Sequence, residues 1–201
     1  MYIFNTDNQD SAYQQHQWTA LHFLYLLGMM FVLAAILTAA MILQYGFDEL
    51  PCPLCLLQRL AMLGVCFGVM LQFRYGLTFR YAGISLLFAV FLLIVSVRQT
   101  LLDIYVRPGH DYVGSAVLGL HMPVWSVLIA LALIVATSLQ MMVWGGAHYR
   151  SNAKIRAFPF LHRAVLVLSL YVLLIAAVNT ASVLVQCGIG QCHTTAYVLL
   201  Q

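Results

Sequence analysis

The residues of this chain best suited to chemistry are two thiols in the stretch Leu50-Pro51-Cys52-Pro53-Leu54-Cys55-Leu56-Leu57-Gln58-Arg59. Cysteines with two residues between them can close a small disulfide, and a helix expected to begin near Cys55 places them at its N-terminus. There the unpaired N–H groups and the positive end of the helix dipole favour thiolate. Thiolate is the species that attacks disulfides and leaves from them. Arg59 follows Cys55 by one helical turn and adds a fixed cation. The pattern reads as a redox-active pair with an electron acceptor nearby. Two other readings use the same residues. A zinc site needs about two further ligands, for which Cys187, Cys192 and His193 are the candidates. An inert or purely structural pair needs nothing more.

The elements that must position these thiols follow from composition. Hydrophobic residues are 63% of the 201 positions and charged residues 7%, against about 25% charged in a soluble domain. Such a chain cannot cover itself in water, and the reading is a single integral membrane domain, all-α, over residues 1–201. The net charge of +3 comes without a dense basic patch, so nothing points to nucleic acid. The five cysteines fall into two close pairs, Cys52/Cys55 and Cys187/Cys192, and a singlet. Cys66 lies inside an apolar run and reads as a small buried apolar residue.

Five apolar runs are long enough to cross a bilayer, which takes about 20 residues. They cover about 21–45, 55–73, 81–102, 123–145 and 164–186. The uncharged stretch 60–73 is too short by itself, so the second helix must start near Cys55 and carry Arg59 below the membrane surface. A cation there snorkels or finds a partner. Arg98, near the far end of the third run, has the same choice, with a supporting role beside Arg59 as the alternative to snorkelling. The interruptions Asn179, Thr180 and Ser182 in the fifth run suit hydrogen bonds to a neighbouring helix.

Orientation follows from Lys and Arg placement. Arg74, Arg80, Arg150, Lys154, Arg156 and Arg163 are six of the nine basic residues, and alternate crossings put all six on one face, hence the cytoplasmic one. The N-terminus is then cytoplasmic and the C-terminus outside. Both cysteine pairs and the loop 103–122 share the outer face, where disulfides persist. A dithiol there can take electrons from a soluble dithiol protein. No haem-attachment, Rossmann or P-loop pattern is present to receive them, which leaves a lipid-soluble acceptor such as a quinone. Arg59 is placed to hydrogen-bond its carbonyl.

The stretch 51–59 resembles the P-C-x-x-C-x-x-x-R signature of the bacterial disulfide bond formation protein B (DsbB) family. Leu118-Gly119-Leu120-His121-Met122-Pro123-Val124-Trp125 is similar to the L-G-L-x-M-P-x-W segment that leads into that family's fourth helix. The resemblance covers roughly 21–145 and implies a four-helix core, here with an added fifth helix. It also implies an inner-membrane enzyme that passes electrons from a periplasmic thioredoxin-fold oxidase of the DsbA type to ubiquinone or menaquinone. Cys52 and Cys55 would be the redox pair and Arg59 the quinone-contacting residue. Two departures matter. Gln58 stands where the family often has an acid, and the loop 103–122 lacks the family's second cysteine pair. The expectation here is that Cys187 and Cys192 do that work, the alternatives being a structural disulfide or a partner that attacks Cys52 directly. Three other functions use the same residues or the same bundle. One is a quinone reductase resembling vitamin K epoxide reductase, though that family usually places its CxxC in the last helix. Another is a metal-handling protein using Cys187, Cys192 and His193, and the third is a non-catalytic assembly partner, which would show no quinone-dependent thiol oxidation.

Overall fold

The computed structural model describes residues 6–46, 51–104, 119, 121–144 and 155–187. Five long helices account for nearly all of them: α1 (Thr6–Gly46), α2 (Pro53–Tyr75), α3 (Phe79–Ile104), α4 (Met122–Trp144) and α5 (Pro159–Cys187). A 3-10 turn, Ile155–Ala157, precedes α5. All five are long and apolar enough to span a membrane. The fold is therefore an all-α polytopic bundle. The second cysteine of the C-terminal pair (Cys192), His193, most of the loop 103–122, and Arg150 with Lys154 lie outside the described residues.

Each helix buries one stripe and shows apolar side chains on the other. In α1 the stripe is Phe23, Leu26, Met30, Leu33 and Leu37, while Leu24, Phe31, Val32 and Ile42 are exposed. Helical spacing of three and four puts the first set on one face. The exposed set is what a hydrocarbon solvent, unlike water, accepts without penalty. α1 starts at Thr6 rather than near 21 because no glycine or proline stops it between Thr6 and Leu27. At about 1.5 Å per residue its 41 residues make a rod of roughly 60 Å.

α2 is the most enclosed helix, with α3 packed along one side and α1 and α5 along the other; α4 packs on α3. Gly64 and Gly68 make the α2–α3 approach close. A Cβ added at Gly64 would run into the Phe88 ring, and one at Gly68 into Ser85, whose backbone N would be only 2.7 Å away. Small residues one turn apart are how membrane helices come within van der Waals reach. Backbone cannot yield as a side-chain tip can, so Gly68→Val is expected to destabilise the bundle by about 1–3 kcal/mol. Thermal unfolding in detergent, scored against Gly83→Ala where nothing lies within 4 Å, checks this. The α2 C-terminus ends on Gly76, whose φ of 106° needs no Cβ in the way.

The polar groups inside the bundle bridge helices. Gln140 Nε2 donates to Gln72 Oε1 at 2.7 Å, Tyr25 Oη to Ala136 O at 2.9 Å, and Ser85 Oγ to Val65 O at 3.2 Å. In a bilayer such bonds replace the water that these groups would otherwise lack.

Candidate active site: a helix-capping disulfide inside an amide network

Cys52 is the N-cap of α2, with Pro53 at the first helical position. Proline costs nothing there, because its missing N–H would have had no partner inside the helix. Cys52 Sγ accepts from the Cys55 backbone N at 3.1 Å, taking the place of the usual capping oxygen. Leu56 N closes the first turn on Cys52 O at 3.1 Å. Cys52 and Cys55 form a disulfide, with Cα atoms 5.1 Å apart. Both sulfurs thus sit on the positive end of α2, where a thiolate released from either is favoured. Cys66, by contrast, is free and fully buried.

Three side chains from three helices stand behind the disulfide. Gln99 of α3 donates from Nε2 to Cys52 Sγ and to Cys55 Sγ, both at 3.4 Å. Its Oε1 accepts from Gln58 Nε2 of α2 at 2.8 Å. Gln58 Oε1 in turn accepts from Ser126 Oγ of α4 at 3.1 Å. Gln58 and Gln99 are 6% and 5% exposed, so these amides must be satisfied by protein. Gln58 stands out in the sequence only as a departure from an acid, and Gln99 and Ser126, uncharged and outside any motif, do not stand out at all.

Arg59 neither snorkels nor faces lipid. It is 9% exposed, and its guanidinium donates to the C-terminal turns of α1. Nη1 reaches Gln44 Oε1 at 2.5 Å and Met41 Sδ at 3.8 Å, and Nη2 reaches Ala40 O at 3.0 Å. Carbonyls at a helix C-terminus carry the negative end of the dipole and suit a cation. Gln44 Nε2 continues to Ser182 Oγ of α5 at 2.6 Å. Asn179, one turn earlier on the same buried face, keeps Oδ1 buried without a hydrogen-bond partner. Thr180 bonds its own helix at Ala176 O, 2.8 Å. Of the three polar residues that interrupt the fifth run, Ser182 makes the interhelical bond.

The end of α5 lies beside the disulfide. Gln186 Nε2 donates to Pro51 O at 2.8 Å, one residue before Cys52. Cys187 follows Gln186, is 6% exposed and is disulfide-bonded. A sulfur held in a disulfide is not a thiolate ligand, which weighs against the metal-handling reading. Cys52, Cys55, Arg59 and Cys187 are therefore brought to one end of the bundle. Arg98 is not drawn in with them. It is exposed, while its neighbour Gln99 turns to the sulfurs. An apolar groove of about 900 Å³ between α1 and α5, lined by Leu24, Phe31, Arg163 and Tyr171 among others, opens toward the opposite end. It plays no part in this site.

A family model for the disulfide bond formation protein DsbB matches residues 21–111. That segment, 91 of the 201 residues, is similar to the DsbB family. It includes the Cys52–Cys55 pair, Gln58, Arg59 and Gln99, and ends before α4. The five long apolar helices make the chain a multi-pass membrane protein, and α5 lies beyond the segment that is similar to DsbB. Ser126 and Gln186 bond to this site, and Ser182 reaches it through Gln44, all from outside the matched segment. No curated protein and no solved structure gives a significant match to the chain.

Proposed function

We propose that this chain is a protein-dithiol:quinone oxidoreductase of the bacterial inner membrane. It would reoxidise a periplasmic DsbA-like protein and pass two electrons to ubiquinone or menaquinone. The observation that carries the proposal is the Cys52–Cys55 disulfide capping α2, with Cys187 one residue from the Gln186–Pro51 hydrogen bond. The positive-inside bias supports a cytoplasmic N-terminus and a periplasmic end for both cysteine pairs.

Electrons then move by exchange between sulfurs. The donor's thiolate attacks Cys192, since Cys187 is buried, and the donor's second thiol resolves the mixed disulfide. The donor leaves oxidised, with Cys187 and Cys192 reduced. Cys187 thiolate attacks Cys52 and releases Cys55 as thiolate on the helix N-terminus. Cys192 next attacks Cys187, restoring their disulfide and freeing Cys52. Cys52 and Cys55 close again as they give up two electrons and two protons. A quinone supplies the sink, taking up that pair of each to become a hydroquinone.

Arg59, one turn from Cys55, fits such an acceptor, because its guanidinium suits a carbonyl oxygen. Gln44 and Ala40 O hold the guanidinium in place.

The test uses the purified chain in detergent with a reduced thioredoxin-fold donor and a short-chain ubiquinone analogue. One hydroquinone is expected per donor disulfide formed. Thiol loss that does not depend on quinone would overturn the proposal. In the same assay, Arg59→Leu is expected to raise KM for the quinone analogue by about ten- to a hundredfold, the scale of a hydrogen bond from a charged donor. Reduction of the resting disulfide by the donor should keep its rate. An unchanged KM would remove Arg59 from the acceptor site.

A further inference from the structure

Resting on the reading of Cys52–Cys55 as the redox pair, we propose that the Gln99 amide is a catalytic hydrogen-bond donor that makes this pair a stronger oxidant. Gln58 and Ser126 are the positioning residues that fix which end of the amide faces the sulfurs. The geometry supplies the argument. An amide end-for-end turn exchanges a donor for an acceptor, so the orientation of Gln99 decides whether the sulfurs meet N–H or a carbonyl oxygen. Ser126 Oγ stands 3.1 Å from Gln58 Oε1 and 3.4 Å from Met122 O, and with its single hydrogen on the nearer oxygen Gln58 keeps Nε2 to donate to Gln99 Oε1 at 2.8 Å. Gln99 must then present Nε2, and it does so to both sulfurs at 3.4 Å.

A disulfide sulfur accepts weakly, whereas a thiolate is a charged acceptor, and charge-assisted hydrogen bonds are roughly twice as strong. The same N–H group therefore gains strength when the S–S bond takes up two electrons and a thiolate appears. Stabilising the reduced form raises the reduction potential of the pair. Burial of both amides strengthens the effect, because water does not compete for the Gln99 N–H groups.

The relay explains why an amide at position 58 suits this chain. A carboxylate there would accept from Ser126 and also from Gln99 Nε2, turning the Gln99 amide over and setting its oxygen against the sulfurs. Gln58→Glu is then expected to shift the dithiol–disulfide equilibrium toward disulfide by about tenfold, or about 30 mV in a two-electron couple. Gln99→Leu, which deletes the donor, shifts it in the same direction by a similar factor. Ser126→Ala, a mild change at a half-buried position, shifts it by a smaller factor and keeps the series readable should Gln99→Leu not fold.

The experiment equilibrates the full chain in detergent with thiol–disulfide buffers of set potential, alkylates the free thiols, and reads the Cys52–Cys55 peptide by mass. No quinone or protein donor is present. Loss of the Gln58→Glu shift in a Gln99→Leu background is the expected result, because the glutamate acts through the amide. A shift that persists there, or an unshifted potential in both Gln99→Leu and Ser126→Ala, would overturn the inference while leaving the pair redox-active. A pair that no buffer reduces would instead bring down the reading on which the inference rests.

Discussion

The Cys52→Ser variant is expected to reduce no quinone above the protein-free control. Its rate should fall on the order of a thousandfold or more, the scale lost when a covalent nucleophile is deleted. The reason is one of connectivity. Cys52 and Cys55 are the disulfide of the described site, and a single remaining thiol cannot deliver a two-electron pair by closing a ring. Folding should survive. Serine is a good helix N-cap, and its hydroxyl can take over the bond from Cys55 N that the Cys52 sulfur now accepts. Quinone-dependent oxidation of donor, followed by ultraviolet absorbance of the quinone analogue, makes the measurement. A rate near that of the parent chain would remove the central assignment.

The second large effect concerns the end of α5. With Cys187→Ser, oxidation of a reduced thioredoxin-fold donor is expected to slow by about ten- to a hundredfold, equivalent to about 1.4–2.8 kcal/mol. Oxidation of a small dithiol such as dithiothreitol should hold its rate, because a molecule of that size can attack Cys52–Cys55 directly. The split between the two donors is the signature. A structural disulfide would slow both together through loss of stability, and normal turnover with the protein donor would rule the relay out. Gln186 is the control within the same turn, since it ties α5 to Pro51 without offering a sulfur.

The sequence reveals the helices and the dithiol for different physical reasons. Long uncharged runs have no stable home but lipid, and two thiols three positions apart at a proline-marked helix start have few uses. The partners of those thiols are harder to see. A lone glutamine in an apolar run carries no sign of which neighbour it meets, and the face it occupies depends on how α2, α3 and α4 are rotated. Arg98 and Gln99 show the difficulty. The charge drew attention to Arg98, yet the helix exposes it and directs the neutral amide to the sulfurs. Arg59 was legible as a buried cation in need of a partner. That α1 supplies it through Gln44 and the Ala40 carbonyl follows from packing between segments far apart in sequence.

The glycine seam between α2 and α3 gives the centre a mechanical sensitivity at a distance. Gly64 and Gly68 act as the fulcrum of two levers, one ending in the sulfurs and the other in the amide that touches them. A methyl group wedged in at mid-bilayer would pry the tips apart, and the damage would register several turns away as a shifted electrochemical poise.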